Sequence, residues 1–195
     1  MLFYIKNYKN QVRYIIGIDH SLNCTGVCVW DTVSNNNVYY MISTKETRKM
    51  KQFSNSHIHI ITYSKSDTKK LSYSEKECKK FDNIYIICKN IQTILQKYQD
   101  CCVLMEGVSY GSVGSAALVD LSFLNSALRM VFKSMNIPMT IVSPTSVKKF
   151  ACGNGQAEKD IMIDAWKRMD NNISGIKDIK IDDLADSYFL AHYSE

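Results

Sequence analysis

Apolar residues fall along this chain in two rhythms, and each predicts a different element. Short dense runs at 14–19 (YIIGID), 25–31 (TGVCVWD), 38–43 (VYYMIS), 101–106 (CCVLME) and 139–142 (MTIV) are bounded by turn formers and polar residues, the pattern of buried strands. His20-Ser21-Leu22-Asn23 and a turn at Asn35-Asn36-Asn37 join the first three into an antiparallel meander. Each later strand follows a helical segment, which predicts parallel crossovers.

The second rhythm has helical spacing. Ile84, Ile87, Cys88, Ile91, Ile94 and Leu95 predict an amphipathic helix from about Ser74 to near Tyr98. Residues 112–135 predict a long helix with a core stripe of Ala116, Leu121, Leu124, Leu128 and Val131. Its other apolar residues, Val113, Ala117, Val119, Phe123 and Met130, lie outside that stripe, so the helix has more apolar surface than one face can bury. Ser143-Pro144 opens a further helix with a capping hydroxyl followed by proline in the first turn. Another follows Gly153-Asn154-Gly155 and runs to about Met169, and a last one begins near Ile181.

Residues 44–80 break both rhythms. They are rich in Lys, Ser, Tyr and Asn, with only the brief alternation His57-Ile58-His59-Ile60-Ile61, and read as a polar insertion or long loop. The order βββ-α-β-α-β-α-α-α predicts an α/β fold, a mixed five-stranded sheet flanked by helices, in a single domain spanning 1–195.

Composition narrows the picture modestly. A chain of 195 residues with 46% hydrophobic content buries one ordinary core and little more. No stretch reaches the roughly 20 apolar residues of a membrane span, and the opening residues are too polar for a signal peptide. A cytoplasmic protein is expected. Seven cysteines without repeated CxxC spacing fit a reducing compartment, and Cys24 and Cys28 have no second pair to complete a zinc site. The net charge of +5 rests on 20 Lys against 4 Arg, which favours phosphate contacts over bidentate base reading. A solvated lysine surface gives the same count, so charge leans only mildly toward nucleic acid.

The candidate chemistry is acidic. Asp19 and Glu106 end two buried strands, and Asp183 and Asp186 share one face of the last helix at i, i+3. If the first and fourth strands are neighbours, all four converge. Clustered carboxylates repel, and the arrangement becomes sensible when hard divalent cations neutralise it. Two such ions about 4 Å apart can activate water for phosphodiester hydrolysis. Taken singly, each acid has an ordinary explanation as a strand terminator or as a first-turn residue favoured by the helix dipole. Only the joint pattern points to a site.

Four blocks of sequence carry a resemblance. Ile16-Gly17-Ile18-Asp19-His20-Ser21 with Thr25-Gly26, then Met105-Glu106, then 147–159 with its Gly153-Asn154-Gly155-Gln156-Ala157 turn between lysines, and Asp183-Leu184-Ala185-Asp186-Ser187, together resemble the RuvC Holliday junction resolvases of the RNase H-like superfamily. The blocks stand in family order and span most of the chain. The resemblance implies an RNase H-like fold and a nuclease cutting branched DNA, four-way junctions especially, with two Mg²⁺ per site for which Mn²⁺ substitutes. Asp19 would bridge the metals, Glu106 and Asp186 would each help hold one, and Asp183 would complete the cluster. Lys148 and Lys159 would meet DNA phosphates, with Lys149 beside them.

Some positions depart from the family. His20 stands where proline is usual, and 44–80 is longer and more polar than in the bacterial enzymes. The junction-wedging aromatic has no residue in exact register: Ser109 holds its place and Tyr110, one beyond, is the candidate DNA contact. Residues 106–111 are more similar to phage or viral RuvC-like enzymes, which implies broader substrate tolerance and, for a viral protein, the host-cell cytoplasm.

Rival readings stay open at this level. Gly17-Ile18-Asp19 with a nearby glycine also resembles the first phosphate loop of actin-like ATPases, although the chain is short for their two domains and lacks a second glycine-rich loop. Another RNase H-like nuclease, acting on RNA–DNA hybrid or ribosomal RNA, and a non-cutting DNA-binding module are the others. Symmetric cutting of a junction by a chain with one acidic cluster implies a homodimer, with 112–135 as the contact. His192, about 240° round the helix from Asp186, reads as a packing or surface residue. His57 and His59 are not expected to hold metal, and Tyr63, Tyr73, Tyr85 and Tyr98 read as packing residues.

Overall fold

The computed structural model describes residues 11–44, 57–64, 70–108, 116–170, 173 and 182–194. Strands β1 (Tyr14–Asp19), β2 (Cys24–Asp31), β3 (Asn36–Ser43) and β4 (Ile58–Thr62) lead to helix α1 (Tyr73–Leu95). Then come β5 (Cys101–Glu106), α2 (Ala116–Ser134), β6 (Met139–Val142), α3 (Pro144–Cys152), α4 (Lys159–Met169) and α5 (Asp182–His192). They build one mixed sheet in the order β4-β3-β2-β1-β5-β6. The meander β1-β2-β3 is antiparallel, and β5 and β6 extend it in parallel from β1.

The sheet has six strands where the sequence predicts five. The extra strand is β4, which pairs in parallel with β3 from inside the segment expected to be loop. Only Ile58 of its five residues is fully buried. A short edge strand with one half-open face makes a weak hydrophobic signal, and its pairing partner is set by tertiary contact. Helix α1 begins where expected, one residue before Ser74, at a capping box in which Ser72 and Glu75 satisfy each other's backbone amides.

Alternation along the strands divides the core into two layers. Ile15, Cys28, Met41, Cys102 and Leu104 face α3, α4 and α5, meeting Val147, Trp166, Leu184 and Phe189. Ile16, Ile18, Val27, Val103 and Met105 face α1 and α2, meeting Ile87, Ile91, Leu124 and Leu128. In α2, Leu124 and Leu128 of the expected stripe are buried and Phe132 joins them, whereas Ala116 is exposed. Tyr63 and Tyr98 are partly buried and bond Leu22 O and the Tyr40 hydroxyl. Tyr73 and Tyr85, expected to pack, are exposed because they fall off the buried face of α1.

Helix α5 lies directly on β1 and β2, and two glycines permit it. A Cβ on Gly17 would overlap the Ser187 carbonyl oxygen and the Ala191 amide, and one on Gly26 would overlap the Asp183 carbonyl group. The far end of α5 is tied by polar contacts. His192 Nε2 bonds Asn37 Oδ1 at 3.0 Å and its ring stacks on Trp30 at 4.2 Å, so of the packing and surface roles open to it the structure shows packing. Asn37 also donates to buried Asp170, which accepts from the Tyr39 hydroxyl as well, while Trp166 Nε1 donates to Tyr39 at 2.9 Å.

Because the clash at Gly26 is with helix backbone, which cannot rotate away, Gly26→Ala is expected to destabilise the protein by about 3 kcal/mol, the upper part of the overpacking range. The midpoint of urea unfolding measures it; an unchanged midpoint would mean that α5 is not seated on β2.

Candidate active site

The parity that sorts the core also sorts the acids. Asp19 follows Ile15 and Gly17 on the α5 side of β1, and Glu106 follows Cys102 and Leu104 on the same side of β5. Parallel pairing sets Ile18 opposite Met105, so the two carboxylates stand side by side at the carboxyl ends of neighbouring strands. That end of a parallel sheet is where ligand sites in open α/β folds form. Gly26 pairs with Asp19 across β1 and β2, and Asp183 of α5 sits over Gly26. One turn on, Asp186 points the same way. The structure brings all four expected acids together.

The electrostatics record how close they are. Burial, then the charges of Glu106, Asp186 and Asp183, hold the Asp19 carboxyl well above its usual range. Burial, then Glu106, Asp182 and Asp183, push Asp186 up to about 7 against the opposing pull of Lys159. Asp183 rises to about 6, chiefly by burial, with the Cys24 thiol and Lys159 restraining it. Glu106 is raised by burial and held back by Asp19, Lys148 and Lys159. Two charges about 5 Å apart at an effective dielectric near 20 repel by roughly 3 kcal/mol, enough to move a carboxyl by about two pKa units. Burial, and for Asp19 and Asp186 the charge of the neighbouring acids, thus disfavours full ionisation of the cluster.

An all-oxygen donor set of this kind suits a hard divalent cation such as Mg²⁺. Among the described residues, no three acidic, cysteine or histidine side chains already converge on one point at coordination distance. The fold places the four carboxylates at one end of the sheet, close enough for Asp19 to feel the charges of the other three.

The lysines fall around this cluster. Lys148 on α3 and Lys159 at the start of α4 both act on Glu106, and Lys159 is ion-paired with Asp182. Lys149, about 100° further round its helix, is exposed. Tyr110 and Ser109 lie outside the described residues. Two neighbours of the site escaped the sequence reading. Asp182 raises both helix acids and tethers Lys159. Cys24 lies two residues before Gly26 and so shares its face; strand alternation alone could have found it.

No family model and no curated protein matches the sequence. The fold does match solved structures. The Thermus thermophilus RuvC structure superposes with a TM-score of 0.56 over 91% of this chain and 90% of that one, at 16% identity. T. thermophilus RuvC in complex with Holliday junction substrate superposes with a TM-score of 0.57 over 92% and 90%, at 13% identity. The chain has the RuvC-like, RNase H-like fold. No helix among the described residues is long and apolar enough to cross a membrane.

A divalent cation held by these carboxylates would compete with their protons. Asp183 and Asp186, folded near 6 and 7 against an ordinary 3.8, favour the folded metal-free state most below about pH 4 and lose that contribution as pH rises through 7. At one fixed concentration, Mg²⁺ should therefore raise the melting temperature more at pH 8 than at pH 5, with a shift of roughly 5–10 °C at pH 8 if that concentration is 100 times the dissociation constant there. Scanning calorimetry at both pH values checks this, and equal shifts would sink it.

Proposed function

We propose that this chain is a structure-selective endodeoxyribonuclease that resolves Holliday junctions, and cuts other branched DNA, by metal-dependent phosphodiester hydrolysis. One joint observation carries the reading. Asp19, Glu106, Asp183 and Asp186 gather at the carboxyl ends of β1 and β5, with Lys148 and Lys159 beside Glu106. They do so on a fold whose solved neighbour was captured with Holliday junction substrate.

The four carboxylates would hold two Mg²⁺, for which Mn²⁺ would substitute. Such ions supply, when bound, a water activated for attack on phosphorus and stabilisation of the departing oxygen. The chain's own groups do the rest. Burial at the strand ends keeps water from diluting the field of the carboxylates. Lys148 and Lys159 offset the repulsion between that acidic cluster and a DNA strand, and their charge favours the negative charge that builds on the phosphoryl oxygens. Asp182 holds Lys159 at the rim. Exposed Lys149 extends the phosphate track, and Tyr110 is the aromatic contact proposed for the branch point.

The homodimer belongs to the same proposal. Phe123 and Met130 on α2 are 56% and 70% exposed, and Phe81 on α1 is 67% exposed. Val119 continues the stripe, and Phe81, Phe123 and Ala127 line a shared groove of about 340 Å³. Apolar surface of that kind on one face of a chain with one acidic cluster fits an isologous contact placing two clusters on one junction.

With Mg²⁺, the wild type should cut a four-way DNA junction in preference to linear duplex and RNA–DNA hybrid in a gel assay. Asp19→Asn should lower cutting at least about 100-fold, within the range seen when such sites lose a charge-stabilising group, while still binding the junction. Preferential cutting of the hybrid would favour an RNase H-type activity, and near-normal cutting by Asp19→Asn would remove the carboxylates from the mechanism. Separately, Phe123→Glu should convert a dimer to a folded monomer that nicks without paired cuts; sedimentation velocity decides it, since a monomeric wild type with and without junction DNA rules the dimer out.

A further inference from the structure

We propose that His20 and Asn125 form a buried positioning clamp that sets the separation of the two strand ends bearing Asp19 and Glu106. The inference rests on reading the four acids as a metal-binding nuclease site.

His20 immediately follows Asp19, and alternation turns it to the opposite face of the sheet, toward α2. It is buried, as is Asn125, which sits among the core-facing residues of that helix beside Leu124 and Leu128. Asn125 Nδ2 lies 3.2 Å from the Glu106 carbonyl oxygen and 3.0 Å from His20 Nε2. One amide group carries two hydrogens, and here each has an acceptor. A single side chain from α2 thus joins the residue after the first acid to the backbone of the second. It can reach both only while the ends of β1 and β5 keep one spacing.

The histidine is there at a cost to stability. With Nε2 accepting, the ring hydrogen sits on Nδ1, which is buried and has no hydrogen-bond partner among the described residues. An unsatisfied buried donor costs about 1–3 kcal/mol, which an apolar side chain of similar volume would not incur. Packing alone does not account for the residue. Its acceptor does, because without it one Asn125 hydrogen would have no partner and the tie between the strands would be cut. Groups that orient the residues around a metal typically change affinity or activity roughly 10- to 100-fold when removed.

The test compares three variants of the full chain. His20→Gln keeps an acceptor near the Nε2 position, His20→Phe keeps the volume without an acceptor, and Asn125→Leu removes the amide at nearly constant size. Mn²⁺ binding to the DNA-free protein by titration calorimetry is the primary readout, with thermal melts confirming the fold. Cleavage rate and junction affinity are measured alongside. His20→Gln should bind Mn²⁺ within about threefold of wild type, while His20→Phe and Asn125→Leu should bind it about 10- to 100-fold more weakly. Their cleavage rates should fall in step, with junction affinity changed by no more than about twofold, since phosphate contacts dominate it. If either apolar variant folds and binds Mn²⁺ like wild type, or if His20→Gln loses as much affinity as His20→Phe, the clamp is overturned. A wild type that neither binds Mn²⁺ nor cuts branched DNA instead overturns the reading of the four acids, and the clamp with it.

Discussion

Backbone-to-backbone contact between α5 and the β1–β2 pair is the constraint on which the rest of the site depends. Helices usually stand off a sheet by the thickness of a side-chain layer, about 10 Å between axes and sheet plane by analogy with packed layers. Gly17 and Gly26 remove that layer along one line, so the helix carbonyls and amides take the space where Cβ atoms would be. The consequence is local and chemical. Short aspartate side chains at positions 183 and 186 can then reach an aspartate and a glutamate on the sheet, which a normally spaced helix would leave out of range. The ties at the other end of α5, from His192 to Asn37 and Trp30, keep the helix from rotating out of that seat.

The same closeness creates an electrostatic conflict. Burial raises all four carboxyls, the neighbouring acids raise Asp19 and Asp186 further, and Lys148 and Lys159 offset only part of this. The two lysines temper the acids: both pull the Glu106 carboxyl down, and Lys159 does the same to Asp183 and Asp186. Asp182 sharpens this by holding Lys159 at the rim rather than letting it collapse fully onto the cluster.

The two faces of the sheet divide the labour. The α3–α5 side carries the acids and lysines, and the α1–α2 side carries a buried polar tie at its inner edge and an apolar stripe at its outer one. Asn125 and Phe123, two residues apart on α2, belong to these two different tasks because a helix turns about 200° over that interval.

Much of this was legible in the chain itself. Strand alternation and helical spacing located β1, β2, β3, β5 and β6 and the cores of all five helices among the described residues, because buried elements repeat their apolar residues at the period of their own geometry. The same parity, with the i, i+3 spacing of Asp183 and Asp186, marked the four acids. Strand β4 was not legible as a strand, since an edge strand that buries one residue fully has almost no hydrophobic signature. Nor were the partners of His20, Asn125, Cys24 and Asp182, whose meaning lies in what they touch. Sequence determined which residues face which side of each element, because that is local backbone geometry. Only the tertiary structure decided how near the elements lie to one another, because that distance is set by what is missing at Gly17 and Gly26 and by long-range contacts that no local period encodes.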